Sequence, residues 1–254
     1  MPRYALLIAY DGTDFAGWWR QPGLRTVAGE LDQALARIGE EGAEPVGSSR
    51  TDAGVHARGQ LAHVNLRRSW EPGRLALTLG RQLPPDVACL AAARVDDAWH
   101  AVYGVRRNTY RYQIDAGVVA DPMLARTAWR VSGLDEARLL RASIAVPGQR
   151  DWAAFVRRGE YRSDTQSRVL SCRWQRRQGI LACDLSADGF IYRLVRSLVG
   201  GMISVARGST AMEQWRSALV GTTNGAARQQ APAHGLHLLR IVHRQPPRWV
   251  VPGR

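Results

Sequence analysis

Strand-length apolar runs alternate with amphipathic helical stripes twice along this chain, and that alternation limits its fold more than any other feature. Residues 3–10 (Arg-Tyr-Ala-Leu-Leu-Ile-Ala-Tyr) read as a strand that ends in the turn Asp11-Gly12-Thr13-Asp14. Val27, Leu31, Leu35 and Ile38 then recur at helical spacing and predict a helix from Thr26 to Ile38. Residues 45–69 read as a strand, a Gly/Ser-rich loop and a second strand, Gln60–Leu66. A helix over 72–82 is stopped by Pro84-Pro85, and residues 87–95 form an extended apolar segment. In the second half, Asn108–Ile114 predicts a strand, Leu134–Val146 a helix and Gly179–Leu185 a strand. The stripe Ile191, Leu194, Val195, Leu198, Met202 and Val205 predicts a helix over 190–206. A capping-box pattern, Thr210-Ala-Met-Glu213, opens a helix that ends near Gly221, and Gly235–His243 reads as a last strand.

Each half therefore runs strand, helix, strands, helix, with hairpin-like connections rather than βαβ regularity. The expected class is α/β, more closely α+β: two related lobes with mostly antiparallel sheets flanked by helices. The expected boundaries are 1–105, 106–245 and a mobile tail over 246–254.

With 254 residues, the chain is long enough for two compact cores. No run of apolar residues is long enough to span a membrane. The N-terminus reads as a first strand, not as a signal peptide. Cys89, Cys172 and Cys183 are odd in number and lack CxxC spacing, which speaks against a disulfide scaffold or zinc site and for a reducing, cytoplasmic setting.

All 35 basic residues are Arg. The absence of Lys removes Schiff-base chemistry, Walker-type phosphate binding and Ser-Lys dyads. The net charge of +13 is unevenly placed: 11 Arg face 12 acidic residues in 1–100, and 24 face 10 in 101–254. A basic half beside a neutral one predicts a polyanion lying mainly across the C-terminal portion. Arg157, Arg158, Arg162, Arg168, Arg173, Arg176 and Arg177, interleaved with Tyr161 and Trp174, favour RNA, because the guanidinium fork binds phosphate and stacks on bases. Arg58, Arg106 and Arg107 are further candidate RNA contacts. Trp99, Trp129, Trp152 and Trp215 read as core anchors.

The stretch Gly47-Ser-Ser-Arg-Thr-Asp-Ala-Gly-Val-His56 is the most informative. It sets Asp52 in a small-residue loop between strands, two residues after Arg50, with Gly47 and Gly54 expected to free the backbone for tight turns. Alone, Asp-Ala-Gly is better read as an Asx-turn closed by Asp52 over Gly54. The whole string, however, resembles the signature of the tRNA pseudouridine synthase A family. So do Tyr10-Asp-Gly-Thr-Asp-Phe-Ala-Gly-Trp18, Gln60-Leu-Ala-His63, Leu83-Pro-Pro-Asp-Val87, Thr109-Tyr-Arg-Tyr112, Asp188–Gly200 and Ala231-Pro-Ala-His-Gly-Leu236, in the right order. Trp19, Gly80, Val102, Asn108 and Ser197 depart from the pattern.

The resemblance implies the pseudouridine synthase fold, with the active site in a cleft between two lobes. It implies a cofactor-free isomerase that turns uridine into pseudouridine in the anticodon stem-loop, at tRNA positions 38–40, acting as a homodimer on tRNA. It also implies Asp52 as the catalytic carboxylate, with Arg196 reaching across to keep it ionised, Tyr110 as the substrate-contacting tyrosine and Arg50 holding the flipped nucleotide. His56 reads as a loop-orienting residue. Two rival readings are a non-catalytic RNA-binding protein of similar fold and a metal-dependent nuclease using Asp52, His56 and His63.

Overall fold

A computed structural model of the chain describes residues 1–155, 165–177, 179–221 and 229–253. Backbone contacts divide it into two compact units, Met1–Arg106 with Leu238–Arg254, and Arg107–His237. The fold is mixed α/β, and of the ladders described below only β5–β6 is parallel.

In the first unit, β1 (Arg3–Tyr10) lies between β3 (His56–Asn65) and β4 (Val87–Val95), antiparallel to both, with Leu6 opposite Ala62 and Ala92. The short β2 (Val46–Gly47) pairs with β3, and β10 (Leu236–His243) follows β3 on the other side. A strand flanked on both sides and covered reads as a continuous apolar run, which accounts for Tyr4, Ala5, Leu6 and Ile8 all being fully buried.

Two helices pack here, and their ends are set by local chemistry. In α1 (Val27–Arg37), the Thr26 hydroxyl caps the helix by accepting the Gly29 N–H at 3.2 Å, and Val27, Leu31 and Leu35 form the buried stripe. In α2 (Pro72–Gln82), Pro72 opens the first turn and the Glu71 carboxylate accepts the N–H groups of Gly73 and Arg74. The tail is tied down, where the sequence reading left it loose. Val250 exchanges both backbone hydrogen bonds with Ala92, at 2.9 and 3.2 Å.

A histidine cluster gives the first unit a pH dependence. His63 is buried, its Nδ1 accepts the Ala101 N–H at 3.3 Å, and its ring lies 4.4 Å from that of His100. Burial, then the charges of His100 and Arg3, bring the His63 pKa down from 6.5 to about 4. His243 and Trp99 close the cluster. Because the folded pKa lies below the unfolded one, between these values the unfolded chain takes up a proton that the folded chain refuses. The His63 contribution to stability is therefore lost as pH falls from about 6.5 to about 4, by roughly 3 kcal/mol. Urea midpoints measured across that range should fall steeply, and His63→Gln should flatten the slope; an unchanged slope in the variant would assign it to other groups.

In the second unit, β5 (Val105–Asp115), β9 (Ile180–Ala187), β8 (Gln166–Arg177) and β7 (Gly148–Asp151) follow one another in an antiparallel array. The short β6 (Trp129–Arg130) runs parallel to β5. The helices are α3 (Glu136–Ile144), α4 (Leu194–Ala206) and α5 (Met212–Leu219). Trp152 and Trp215 are fully buried, their indole N–H groups donating to Ser167 and Ala142 carbonyls, and Trp99 is buried in the first unit. Trp129 is only partly buried and meets Tyr112 edge to face.

Three local expectations change. The α4 helix begins at Leu194 rather than at 190, because Arg193 adopts the left-handed conformation (φ 60°). It is buried on every side except at Arg196, so it is a core helix and not an amphipathic one. The α5 cap shifts by one residue: Ala211 stands at the cap, and the Gln214 side chain accepts its N–H at 3.1 Å.

Candidate active site

The loop between β2 and β3 carries Asp52, and hydrogen bonds hold it at nearly every residue. Ser48 N–H donates to the Leu61 carbonyl at 2.7 Å. The fully buried Gln60 amide takes both backbone groups of Ser49, accepting its N–H at 3.1 Å and donating to its carbonyl at 2.6 Å. Tyr10 and Thr51 hydroxyls share a buried hydrogen bond of 2.7 Å, and the Thr51 carbonyl accepts the Trp18 N–H. Val55 N–H then closes a turn on the main-chain carbonyl of Asp52 at 3.2 Å, with Gly54 at φ 76° supplying the left-handed residue. The Asp52 side chain is half-buried.

Gly47 serves a different purpose from the one expected. It does not adopt positive φ; instead the Trp18 ring lies against it, and a Cβ there would stand 2.2 Å from the indole. The 11–18 turn thus clasps the Asp52 loop from one side while β3 grips it from the other. His56 belongs to that clasp. It is buried, and its Nδ1 lies 3.1 Å from the Gly12 amide nitrogen and 3.1 Å from an Asp11 carboxylate oxygen. This is the loop-orienting part expected of it. Arg50, by contrast, is exposed, its guanidinium over the Trp19 ring. The contributions of Gln60, Tyr10, Thr51 and Trp18 were not read from the sequence, since hydrogen bonds between residues 11 and 41 positions apart leave no local pattern.

The other catalytic candidates belong to the second unit. Tyr110 on β5 is buried and meets Phe190 edge to face, with ring centroids 5.4 Å apart. Tyr112, two residues on, is fully buried; its hydroxyl donates to the Pro232 carbonyl at 2.8 Å, and burial raises its pKa far above the ordinary tyrosine value. Tyr112 is a packing residue. Arg196 is half-buried and stapled to Ala231 in both directions: its Nε donates to the Ala231 carbonyl at 2.8 Å, and Ala231 N–H donates to its own carbonyl at 3.0 Å. The sequence placed Arg196 at an exposed helix edge; its stem is in fact held, so its guanidinium is fixed in direction.

Among the candidate RNA contacts, Arg58, Arg106 and Arg168 are exposed and Arg107 is half-buried, while Arg157, Arg158, Arg162 and Tyr161 lie outside the described residues. The Arg-rich stretch that the sequence suggested as an RNA surface contains β8, which its charges had masked as a strand. Arg168 and Arg173 stand on its exposed side, whereas Ser167 and Val169 are buried.

Among the described residues, no three His, Cys, Asp or Glu side chains are grouped to hold a metal ion, so Asp52, His56 and His63 form no such set. No helix is long and apolar enough to cross a membrane.

Comparison with known proteins gives these residues a context. A family profile described as tRNA pseudouridine synthase matches residues 142–243. A tRNA pseudouridine synthase A of Chloroflexus aurantiacus is 36% identical over 269 aligned positions, covering 100% of this chain and 94% of its own length. That of Shouchella clausii is 34% identical, covering 97% of this chain and 95% of its own, and that of Prochlorococcus marinus is 31% identical, covering 96% and 92%. The chain belongs to the tRNA pseudouridine synthase A family. Membership in this isomerase family agrees with the mixed α/β, mostly antiparallel fold and accounts for motifs spread from Tyr10 to Leu236.

Proposed function

We propose that this chain isomerises uridine to pseudouridine in tRNA, within the anticodon stem-loop, with Asp52 as the reacting carboxylate. The observation that carries the reading is the clamped loop: a half-buried carboxyl displayed on a backbone fixed by Gln60, Trp18 and Tyr10. Preorganisation of that kind suits a group that must meet a sugar carbon in one geometry.

The reaction breaks the N1–C1′ bond, turns the uracil and joins C5 to C1′, and the C5 proton is then lost. Electrons balance within the nucleoside, so the proposal includes no cofactor. A uridine in a stem must leave the stack to be reached, at a cost of a few kcal/mol. In the proposed roles, Tyr110 contacts the extruded base, Arg50 holds its nucleotide and Arg196 offers a cationic partner to the reacting carboxylate. Exposed Arg58, Arg106 and Arg168 contribute phosphate contacts. A homodimer engaging one tRNA belongs to the same proposal, and sedimentation of the free protein reads it.

The test uses tRNA tritiated at uracil C5. The protein alone, without added cofactor and in the presence of a chelator, should release tritium into water, and the label should be lost from the anticodon stem-loop. Affinity should also fall steeply with salt as phosphate contacts release counterions. Binding without any tritium release would leave a non-catalytic RNA binder.

A further inference from the structure

Adjacent tryptophans behave in opposite ways beside the Asp52 loop. Trp18 is fully buried under Gly47, whereas Trp19 is 37% exposed. The guanidinium carbon of Arg50 lies 4.8 Å from the centre of the Trp19 ring. Both residues of this pair are flanked by fixed neighbours. Trp18 has its N–H and its carbonyl engaged, by Thr51 and Ala28, and Arg20 is tied to Asp32. Ser49 is gripped by Gln60, and Thr51 by Tyr10 and Trp18. The stack is thus held by its backbone.

Its un-neutralised charge and exposed ring together set it apart: Arg94 also lies over Tyr4, but that ring is fully buried. Arg25 lies over Phe15 but is neutralised by Glu30 and Asp86, and Arg68 lies over Trp70 beside Glu40. Among the described residues no carboxylate pairs with Arg50, which stays exposed. An exposed indole carrying an un-neutralised guanidinium, two residues from the candidate catalytic carboxylate, combines ring stacking with positive charge. That combination recognises a nucleobase and its phosphate.

We propose that Trp19 and Arg50 form a stacking platform for an unpaired nucleobase of the RNA, next to the uridine that Asp52 acts on. Trp19 supplies the ring face, and Arg50, kept on it, supplies a second plane and the charge. The proposal deepens the isomerase reading and rests on it for the identity of the neighbouring uridine.

The test uses anticodon stem-loop RNAs carrying 2-aminopurine at single positions flanking the uridine. At one position, wild-type protein should quench the fluorophore on binding. Trp19→Leu should lose that quenching and bind about tenfold more weakly, with the kinetic loss in KM rather than kcat. Trp19→Phe, which keeps a ring, should restore both. In a double-mutant cycle, Trp19→Leu and Arg50→Gln should be non-additive. Thermal melting checks that each variant folds, and because Trp19→Phe keeps a ring and Arg50→Gln alters an exposed side chain, they decide the matter if Trp19→Leu does not. Quenching retained and affinity within about twofold in Trp19→Leu, or no rescue by Trp19→Phe, would overturn the platform. If wild-type protein binds these RNAs without releasing tritium, the isomerase reading fails while the fluorescence still decides the platform.

Discussion

Replacing Asp52 by Ala is expected to abolish tritium release from C5-labelled tRNA, by at least on the order of 10³-fold, while tRNA binding persists. The fold should tolerate the change. The turn at Asp52 is closed through its main-chain carbonyl, and the loop is gripped at Ser48, Ser49 and Thr51. Asp52→Asn sharpens the test, because it keeps the shape and removes the charge. If the carboxylate reacts at the sugar, or takes a proton there, the amide fails as fully as Ala does. Asn activity within about tenfold of wild type would mean that Asp52 serves the loop and not the reaction. Thermal melting of both variants separates this outcome from unfolding.

Much of this arrangement was legible in the sequence, for local reasons. Pro84-Pro85 marks the end of α2, and α1 and α2 fall where periodicity places them, with Thr26 and Glu71 capping them in the structure. The Asp52 loop was legible because its ten residues are contiguous. What failed was non-local or conformational. The stripe through Ile191 runs on into α4, yet the backbone turns left-handed at Arg193, and hydrophobic spacing carries no record of a single φ angle. The β8 strand was hidden because Arg168 and Arg173 face solvent, and dense charge reads as surface whatever the backbone does. Gly47 was assigned to a turn; its constraint is the Trp18 ring, brought from a distant part of the chain. Residue chemistry thus announced the carboxylate, while the means of holding it still appeared only with the fold.

That holding is most concentrated in Gln60, and Gln60→Leu is expected to damage stability and catalysis together. Leu matches the buried volume but has no amide. Ser49 N–H and Ser49 carbonyl lose their partner, and the Leu61 N–H loses one at 3.2 Å. Backbone groups stripped of partners inside a protein cost about 1–3 kcal/mol each, so a loss of roughly 2–6 kcal/mol follows from the two Ser49 groups if the loop stays in place. The alternative is that residues 49 and 50 lift toward water, which relieves the cost and misplaces Asp52. Even a displacement near 1 Å costs on the order of 10²-fold in rate. The two limits are measurable apart. Strain alone appears as a lowered urea midpoint with nearly native kcat, whereas loop release appears as fast amide exchange at Ser49 and a kcat loss that RNA saturation does not restore. Ser48 stays bonded to the Leu61 carbonyl and Thr51 to Tyr10 and Trp18, so any release is local to residues 49 and 50, and that local release is the expected branch. Native exchange at Ser49 together with native kcat in Gln60→Leu would show that the clamp does not position the carboxylate.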